Sequence, residues 1–259
     1  MKIGIVANKR HDPGLVFAKE VATWLVYLGQ VPILEEWEAY RCDFLIVLGG
    51  DGTMLRAALE AAKYNTPMLG INLGNLGYLT DVERPDALDA IKKMLEGNFR
   101  RENRMMLECQ DHLAMNEVVI YRDGSRPLVC RISVNGDHMD TLRADGMIIS
   151  TPTGSTAYSL SAGGPILKPD SQMIVVTAVS PHTLYSRPWV LSGSDEVTLA
   201  PITDHKYVAK VSMDGEPKFI LKCGESITVR RSEYTACVIK TSGMDFFQVL
   251  RKKMAKYES

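Results

Sequence analysis

The sequence predicts an α/β N-terminal domain with a parallel sheet over residues 1–98 and an all-β, sandwich-like C-terminal domain over residues 99–243. Three observations carry this. First, residues up to about 98 alternate apolar runs with helical spacing, the pattern of βαβ units. Second, beyond Phe99 the helical spacing gives way to short strand-like runs separated by turn signals. Third, Phe44-Leu45-Ile46-Val47-Leu48 is an unbroken apolar run that stops at Gly49-Gly50-Asp51-Gly52-Thr53, as a strand buried on both faces does when it enters a turn and a helix.

In order, Ile3 to Ala7 is a buried strand, and Asn8 to Gly14 a polar loop. Val21, Trp24, Leu25 and Leu28 share one face of a helix that Gly29 caps. Val31 to Leu34 is a second strand, and the acidic, aromatic stretch Glu35 to Arg41 a loop or short turn. After the central strand, Leu55, Ala58, Leu59 and Ala62 recur at helical spacing. Pro67 to Asn72 is a short strand. Pro85 opens a helix with Leu88, Ile91 and Leu95 on one face and Gly97 at its end. Ten strand-like runs follow, among them Val118–Arg122, Leu128–Val134, Tyr207–Met213, Ser226–Arg230 and Ala236–Thr241, with hairpin signals at Asn135-Gly136 and Asp214-Gly215. Met244 to Tyr257 is a basic helix, with packing back on the first domain left open.

The chain has 259 residues, 46% hydrophobic and 24% charged, with net charge −1. No basic field draws it to nucleic acid or to an anionic membrane, and no run approaches spanning length. Cys42, Cys109, Cys130, Cys223 and Cys237 are dispersed, with no CxxC pair. That fits reduced thiols and a cytoplasmic location rather than a disulfide frame or a zinc cage. The five histidines form no HxxxH pair.

A strand-turn-helix aims backbone N–H groups and a positive helix end at one spot, a seat for phosphate. Glycines there allow positive φ and close approach of a ligand. Asp51 is out of place beside a phosphate unless it takes a proton or holds a metal, both tasks of phosphoryl transfer. The run Asn72-Leu73-Gly74-Asn75-Leu76-Gly77-Tyr78-Leu79 is a second glycine-bearing loop. Glu117, at the mouth of a strand after Asn116, can accept two ribose hydroxyls. Arg143 and Asp145 flank one alanine, so on a strand they share a face, to pair with each other or to read a ligand. Thr151 to Pro165 supplies hydroxyls and backbone N–H groups suited to ribose, amide or phosphate oxygens, yet it is too apolar for a free linker.

Taken together, Gly49 to Thr53, Asn72 to Leu79, Asn116-Glu117, Asp145-Gly146 with Thr151 to Tyr158, and Gly163-Gly164-Pro165 resemble the NAD kinase family over nearly the whole chain. The first motif is shared with diacylglycerol and sphingosine kinases; the ordered set is specific. The resemblance implies transfer of the γ-phosphoryl of ATP to the 2′-hydroxyl of the adenosine ribose of NAD, in a crevice between the two domains. It implies Mg²⁺ or a similar divalent cation and a homodimer or homotetramer. Asp51 is then the candidate for taking the hydroxyl proton; orienting the hydroxyl or helping to hold the metal are its other possible roles. Gly49, Gly50 and Gly52 offer backbone to phosphate. Arg56 either carries compensating charge or lies on a solvated helix face. The family's NAD ribose contacts fall on Asn116 and Glu117, further NAD contacts on Thr156 and Ser161. Asp145, Ala157 and Tyr158 fall near the nicotinamide end or a facing subunit's ligand, and Tyr78 stands where a ring would stack on adenine. A lipid kinase and a non-catalytic dinucleotide sensor are the alternatives. The first needs an apolar tunnel that nothing after residue 100 provides; the second gains nothing from Asp51.

Overall fold

The structure, a computed structural model, describes residues 1–74, 77–124, 126–202, 208–222 and 224–255. Asn75 and Leu76 of the second glycine loop, Tyr207 at the start of a predicted strand, Cys223, and Tyr257 at the predicted end of the last helix lie outside the described residues. The chain divides into two compact units, Met1–Arg104 with Tyr234–Ser259, and Met105–Glu233.

In the first unit, β1 (Lys2–Ala7), β2 (Val31–Ile33), β3 (Phe44–Leu48), β4 (Met68–Asn72) and β5 (Val82–Glu83) alternate with α1 (Val16–Tyr27), α2 (Glu36–Ala39), α3 (Asp51–Ala61) and α4 (Ala87–Leu95). All their pairings are parallel: β1 with β2 and β3, β3 with β4, and β4 with β5. Parallel strands covered by helices are buried on both faces, which is why β3 and β4 read as continuous apolar runs. The predicted loop over Glu35 to Arg41 holds the one-turn helix α2. It lies so close to β1 that a methyl on Gly4 would overlap the Ala39 carbonyl.

Asp12 accepts the N–H groups of Phe17 and Ala18, both at 2.9 Å, and so satisfies free donors in the first turn of α1. Gly29 and Gly97, at φ +72 and +76, take the left-handed conformation just past the ends of α1 and α4. Ile3, Ile5, Phe17, Val21, Leu25, Ile46, Leu48, Leu69, Ile71, Ile91 and Met94 form one core. Because β1 has β2 on one side and β3 on the other, successive crossovers leave in opposite directions at the carboxyl ends of β1 and β3. In open α/β sheets that is where ligands bind. Asn8 follows β1 and the Gly49 turn follows β3, and the Asn8 amide donates to the Thr53 hydroxyl at 3.2 Å.

The second unit takes part of β6 (Arg100–Cys109), then β7 (His112–Ala114), β8 (Glu117–Arg122), β9 (Leu128–Val134), β10 (Asp137–Ala144), β11 (Gly146–Ser150), the single turn α5 (Tyr158–Ser161), β12 (Met173–Val179), β13 (Trp189–Ser192), β14 (Val197–Pro201), β15 (Ala209–Met213), β16 (Glu216–Leu221) and part of β17 (Ile227–Lys240). One antiparallel sheet runs β13-β12-β11-β8-β15-β16. A second joins β10, β9, β14 and the first half of β17. Their inner faces share one core, with Val118, Ile120, Met147, Ile149 and Val211 from the first sheet and Cys130, Ile132, Leu199 and Val229 from the second. This is the sandwich the alternating strands predict.

One long strand differs from the sequence reading. The segments Ser226–Arg230 and Ala236–Thr241 are one fourteen-residue strand, β17, which leaves the second unit at Glu233 and ends beside β4 through Val238 and Ile239. The exposed residues Arg230, Arg231 and Glu233 hide its continuity. After β17, Asp81 accepts four bonds, from the N–H and hydroxyl of Thr241 (2.5 and 2.7 Å) and of Ser242 (3.1 and 2.8 Å). This staple fixes the root of α6 (Phe246–Ala255), which belongs to the first unit. No described helix is long and apolar enough to cross a membrane.

Asp81 is buried, so its removal strands four donors at once. We expect Asp81→Ala to lower unfolding stability by about 3 kcal/mol in urea titration. A loss under about 1 kcal/mol would mean the carboxylate is not what ties this segment down.

Candidate active site

The first set of candidate residues is built on the carboxyl ends of β3 and β4. Gly50 stands at the N-cap of α3, and the helix begins at Asp51 itself. None of Gly49, Gly50 and Gly52 takes a positive φ, so the expected conformational reason for these glycines does not hold. Their reason is space. A methyl on Gly49 would strike the Thr53 side chain. One on Gly50 would meet only Asn72 Oδ1, at 3.9 Å, and one on Gly52 nothing within 4 Å. The turn thus leaves its backbone open at Gly50 and Gly52, at the amino end of an eleven-residue helix.

Asp51 reaches across to the second glycine loop. Its Oδ2 accepts the Tyr78 N–H at 2.8 Å and its Oδ1 the Leu79 N–H at 2.9 Å. Gly77 is there because of this contact: a methyl at that position would overlap Oδ1. Behind the loop, Lys240 donates to the Leu79 and Thr80 carbonyls at 3.1 and 3.0 Å. Burial lowers the pKa of this lysine, with the Asp81 charge opposing. Asn72, buried at the end of β4, donates to the Gly74 carbonyl at 2.8 Å and holds the start of the same loop. Tyr78 is half-buried, with the Lys253 ammonium 4.7 Å from its ring centroid. That ammonium lies 3.9 Å from Asp51 Oδ2. Arg56 is exposed on α3.

The second set surrounds the start of β8. Asp214 and Gly215, both at positive φ, form the β15–β16 hairpin turn. The Asp214 carboxylate accepts the N–H groups of Met115, Asn116 and Glu117 at 2.8, 2.7 and 3.1 Å. Burial raises its pKa, against the pull of those three donors. Glu117 is buried beside it, and its Oε2 has no hydrogen-bond partner among the described residues. Burial, and then the Asp214 charge, push the Glu117 carboxyl up to about 8, with only the Tyr158 N–H opposing. The Asn116 carbonyl accepts the Thr151 N–H at 2.9 Å and packs on Gly154, where a methyl would overlap it.

The run Thr151 to Ser155 is buried rather than a surface loop, and closed by its own bonds. The Thr151 hydroxyl donates to the Met115 carbonyl at 2.7 Å, and the Ser155 hydroxyl to the Pro152 carbonyl at 2.6 Å. The Thr156 hydroxyl donates to the Thr153 carbonyl at 3.1 Å. Ala157 links this turn to α5, where Tyr158 and Ser161 are exposed. Arg143 is exposed in β10, one residue before the strand ends at Ala144, while Asp145 stands in the gap before β11 and pairs with Arg122 Nε at 2.9 Å. The option that Arg143 and Asp145 pair with each other is therefore overturned, because the chain leaves the strand between them.

Two family models match this chain, the ATP-NAD kinase N-terminal domain over residues 30–99 and the ATP-NAD kinase C-terminal domain over residues 115–241. The chain belongs to the ATP-NAD kinase family. The NAD kinase of Heliobacterium modesticaldum is 37% identical over 97% of this chain and 98% of its own length. That of Geobacter metallireducens is 39% identical over 98% of each. Among solved structures, an Archaeoglobus fulgidus NAD kinase in complex with ATP is 27% identical, with TM-score 0.82 over 99% of this chain and 98% of its own. Yeast NADH kinase complexed with NADH is 22% identical with TM-score 0.85, covering 100% of this chain and 88% of its own; it shares the fold.

The activity is thus that of an NAD kinase, a phosphotransferase with ATP and NAD as substrates, and nothing supports the lipid kinase reading. In this NAD kinase the glycine motifs are joined through Asp51, a link their spacing alone does not reveal. Four residues that sequence reading does not single out complete the two sets: Asp81, Asp214, Lys240 and Lys253. Asp214-Gly215 is legible as a turn, but not as the acceptor of donors about a hundred residues away. Lys240 follows Val238-Ile239 at the end of an apolar strand, the one signal that its side chain faces inward.

Two outcomes follow from this geometry. Gly77→Ala pushes the Asp51 carboxylate off the Tyr78 and Leu79 N–H groups, so we expect a folded protein with kcat reduced about 10²-fold in an NADP-forming assay. Turnover close to wild type would show that this placement is dispensable. For Glu117, the unfolded group ionises near 4.5 and the folded one near 8. Below the lower value both states are protonated and nothing is lost; above it the folded state retains a proton the unfolded state has released, so stability falls until pH passes about 8. The melting temperature of Glu117→Gln should therefore gain on wild type as pH rises through this window. A pH-independent offset would contradict it.

Proposed function

We propose that Asp51 is the general base of this NAD kinase, taking the proton of the adenosine 2′-hydroxyl as its oxygen bonds to the γ-phosphorus of ATP. The observation that carries this is the carboxylate's fixed orientation at the head of α3, one backbone N–H on each oxygen. Each oxygen keeps a second lone pair for a substrate hydroxyl. The acceptor hydroxyl is neutral and must lose its proton as the bond forms. A loose transition state asks for that proton late, and a carboxylate held within reach of the hydroxyl takes it. The open backbone at Gly50 and Gly52, with Gly49, receives phosphate oxygens, and Arg56 supplies positive charge one turn further along.

The second unit binds NAD. The unpartnered, buried Oε2 of Glu117 supports this: a ribose hydroxyl donated to it supplies the bond the free protein lacks. Asn116, Thr156 and Ser161 add polar contacts, Asp145, Ala157 and Tyr158 serve the nicotinamide end or a facing subunit's ligand, and Arg143 reads the ligand's phosphate. Tyr78 and Asn72 belong to the nucleotide contacts of the first unit. The ATP complex of the archaeal relative supports ATP as the donor.

Mg²⁺ or a similar divalent cation fits this donor set. Such an ion keeps several waters and binds substrate phosphates with one or two carboxylates, and Asp51 is the carboxylate at the phosphate end. Bound there, it would neutralise charge on the phosphates. A homodimer or homotetramer is supported by exposed Leu184 (88%), Tyr185 (91%), Trp189 and Val190, on and before the edge strand β13. Unpaired Cys42, Cys109, Cys130 and Cys237 support a cytoplasmic location.

The test is Asp51→Asn, incubated with ATP, Mg²⁺ and NAD while a coupled dehydrogenase reads NADP. We expect NAD binding to persist and kcat to fall about 10²-fold or more. Near-normal turnover would rule out the general base.

A further inference from the structure

We propose that Lys253 is a catalytic residue of this reaction, its ammonium contacting the phosphoryl group as it passes from ATP to the 2′-oxygen. The inference rests on the reading of Asp51 above. The first support is position. Lys253 Nζ lies 3.9 Å from Asp51 Oδ2 and 4.7 Å from the centroid of the Tyr78 ring. At 3.9 Å it is beyond hydrogen-bond range of the carboxylate, and it has no hydrogen-bond acceptor among the described residues. Its three N–H donors are therefore available at the place where the base works.

The second support is that neither Asp51 nor the fold needs this lysine. The carboxylate is already oriented by the N–H groups of Tyr78 and Leu79. No residue of α6 is buried, so the helix is not there to fill a core. Yet it is deliberately built. The Asp245 side chain accepts the Gln248 N–H at 2.8 Å and Gln248 Oε1 accepts the Asp245 N–H at 2.9 Å, a reciprocal cap. Asp81 pins the residues from which it departs. An anchored, capped helix with no buried residue presents one cation to Asp51. Its neighbour Lys252 turns away, to the Met244 sulfur at 3.3 Å.

The third support is the chemistry. As the bond from the γ-phosphorus to the leaving oxygen of ADP breaks, the bond to the 2′-oxygen forms and the hydroxyl proton passes to Asp51. Negative charge is spread over the three equatorial phosphoryl oxygens throughout, and a fixed cation beside the path stabilises it. Lys253 keeps its protons at every stage. The aromatic face of Tyr78 holds the ammonium without spending a donor on it.

Lys253→Met and Lys253→Gln, with Lys252→Met as control, test this in the full-length enzyme. We expect both Lys253 variants to melt as wild type does and to lose about tenfold to a hundredfold in kcat at every pH from about 6 to 9, with KM for NAD changed less than about threefold. Lys252→Met should match wild type. A kcat within about threefold of wild type for both variants overturns the proposal. So does a loss at low pH that vanishes at high pH, since that is the mark of a cation that only tunes the charge on Asp51. A failure of Asp51→Asn to lose activity removes the base while leaving the Lys253 result to be read on its own.

Discussion

The pair of hydrogen bonds from the Tyr78 and Leu79 N–H groups to Asp51 is the constraint on which the first unit's site depends. It joins the turn after β3 to the loop after β4, two segments that would otherwise be independent surface loops. Each partner is fixed from its far side. Asp51 belongs to the first turn of α3, and the loop is held by Asn72 at one end and by Lys240 through the Leu79 and Thr80 carbonyls at the other. The glycines follow from this: Gly77 must lack a side chain for the carboxylate to seat, and Gly49 for the helix to begin at the strand's end. A group positioned this way need not be reorganised when substrate arrives, and pre-positioned groups are where much of the rate of phosphoryl transfer originates.

The second unit solves a different problem with a similar device. Two acidic side chains meet at the start of β8: Glu117, buried, and Asp214, half-buried in the hairpin turn that packs there. Asp214 is compensated by three backbone donors and serves as the staple that closes the strand's entry. Glu117 is compensated by almost nothing: one oxygen is unpartnered, and its carboxyl is pushed up to about 8. A buried acceptor without a donor costs stability. Under the NAD-binding role proposed for it, the position beside the hydroxyl-rich turn of Thr151 to Thr156 gives that cost a use, since a sugar hydroxyl would supply what is missing.

Much of this was legible in the residues. The apolar run of β3 announces a two-face-buried strand, the spacing of Val21, Leu25 and Leu28 announces α1, and the strand-like run from Leu128 to Val134 announces β9. All three appear as read, because periodicity records burial directly. The divided course of β17 was not legible. Its middle is solvent-exposed in one unit while its ends are buried in cores of different make, so no single period runs through it. The order of the glycine and Asn-Glu motifs carried the family. What the order cannot carry is which backbone donor meets which carboxylate. Asp51 meets Tyr78 and Leu79, and Asp214 meets Asn116, across separations of 27 to 98 residues, and only the folded chain decides such pairings. The glycines of the first motif show the same limit from the other side: their presence was informative, while the reason for it was steric clearance and not an unusual φ.

The most direct measurement is a crystal structure of the enzyme with NAD and a non-hydrolysable ATP analogue. The account requires an Asp51 oxygen within about 2.6–3.2 Å of the 2′-oxygen, in line with the γ-phosphorus, while the Tyr78 and Leu79 N–H groups still hold the carboxylate. A carboxylate turned away from the ribose, with the 2′-hydroxyl bonded instead to another side chain, would contradict it.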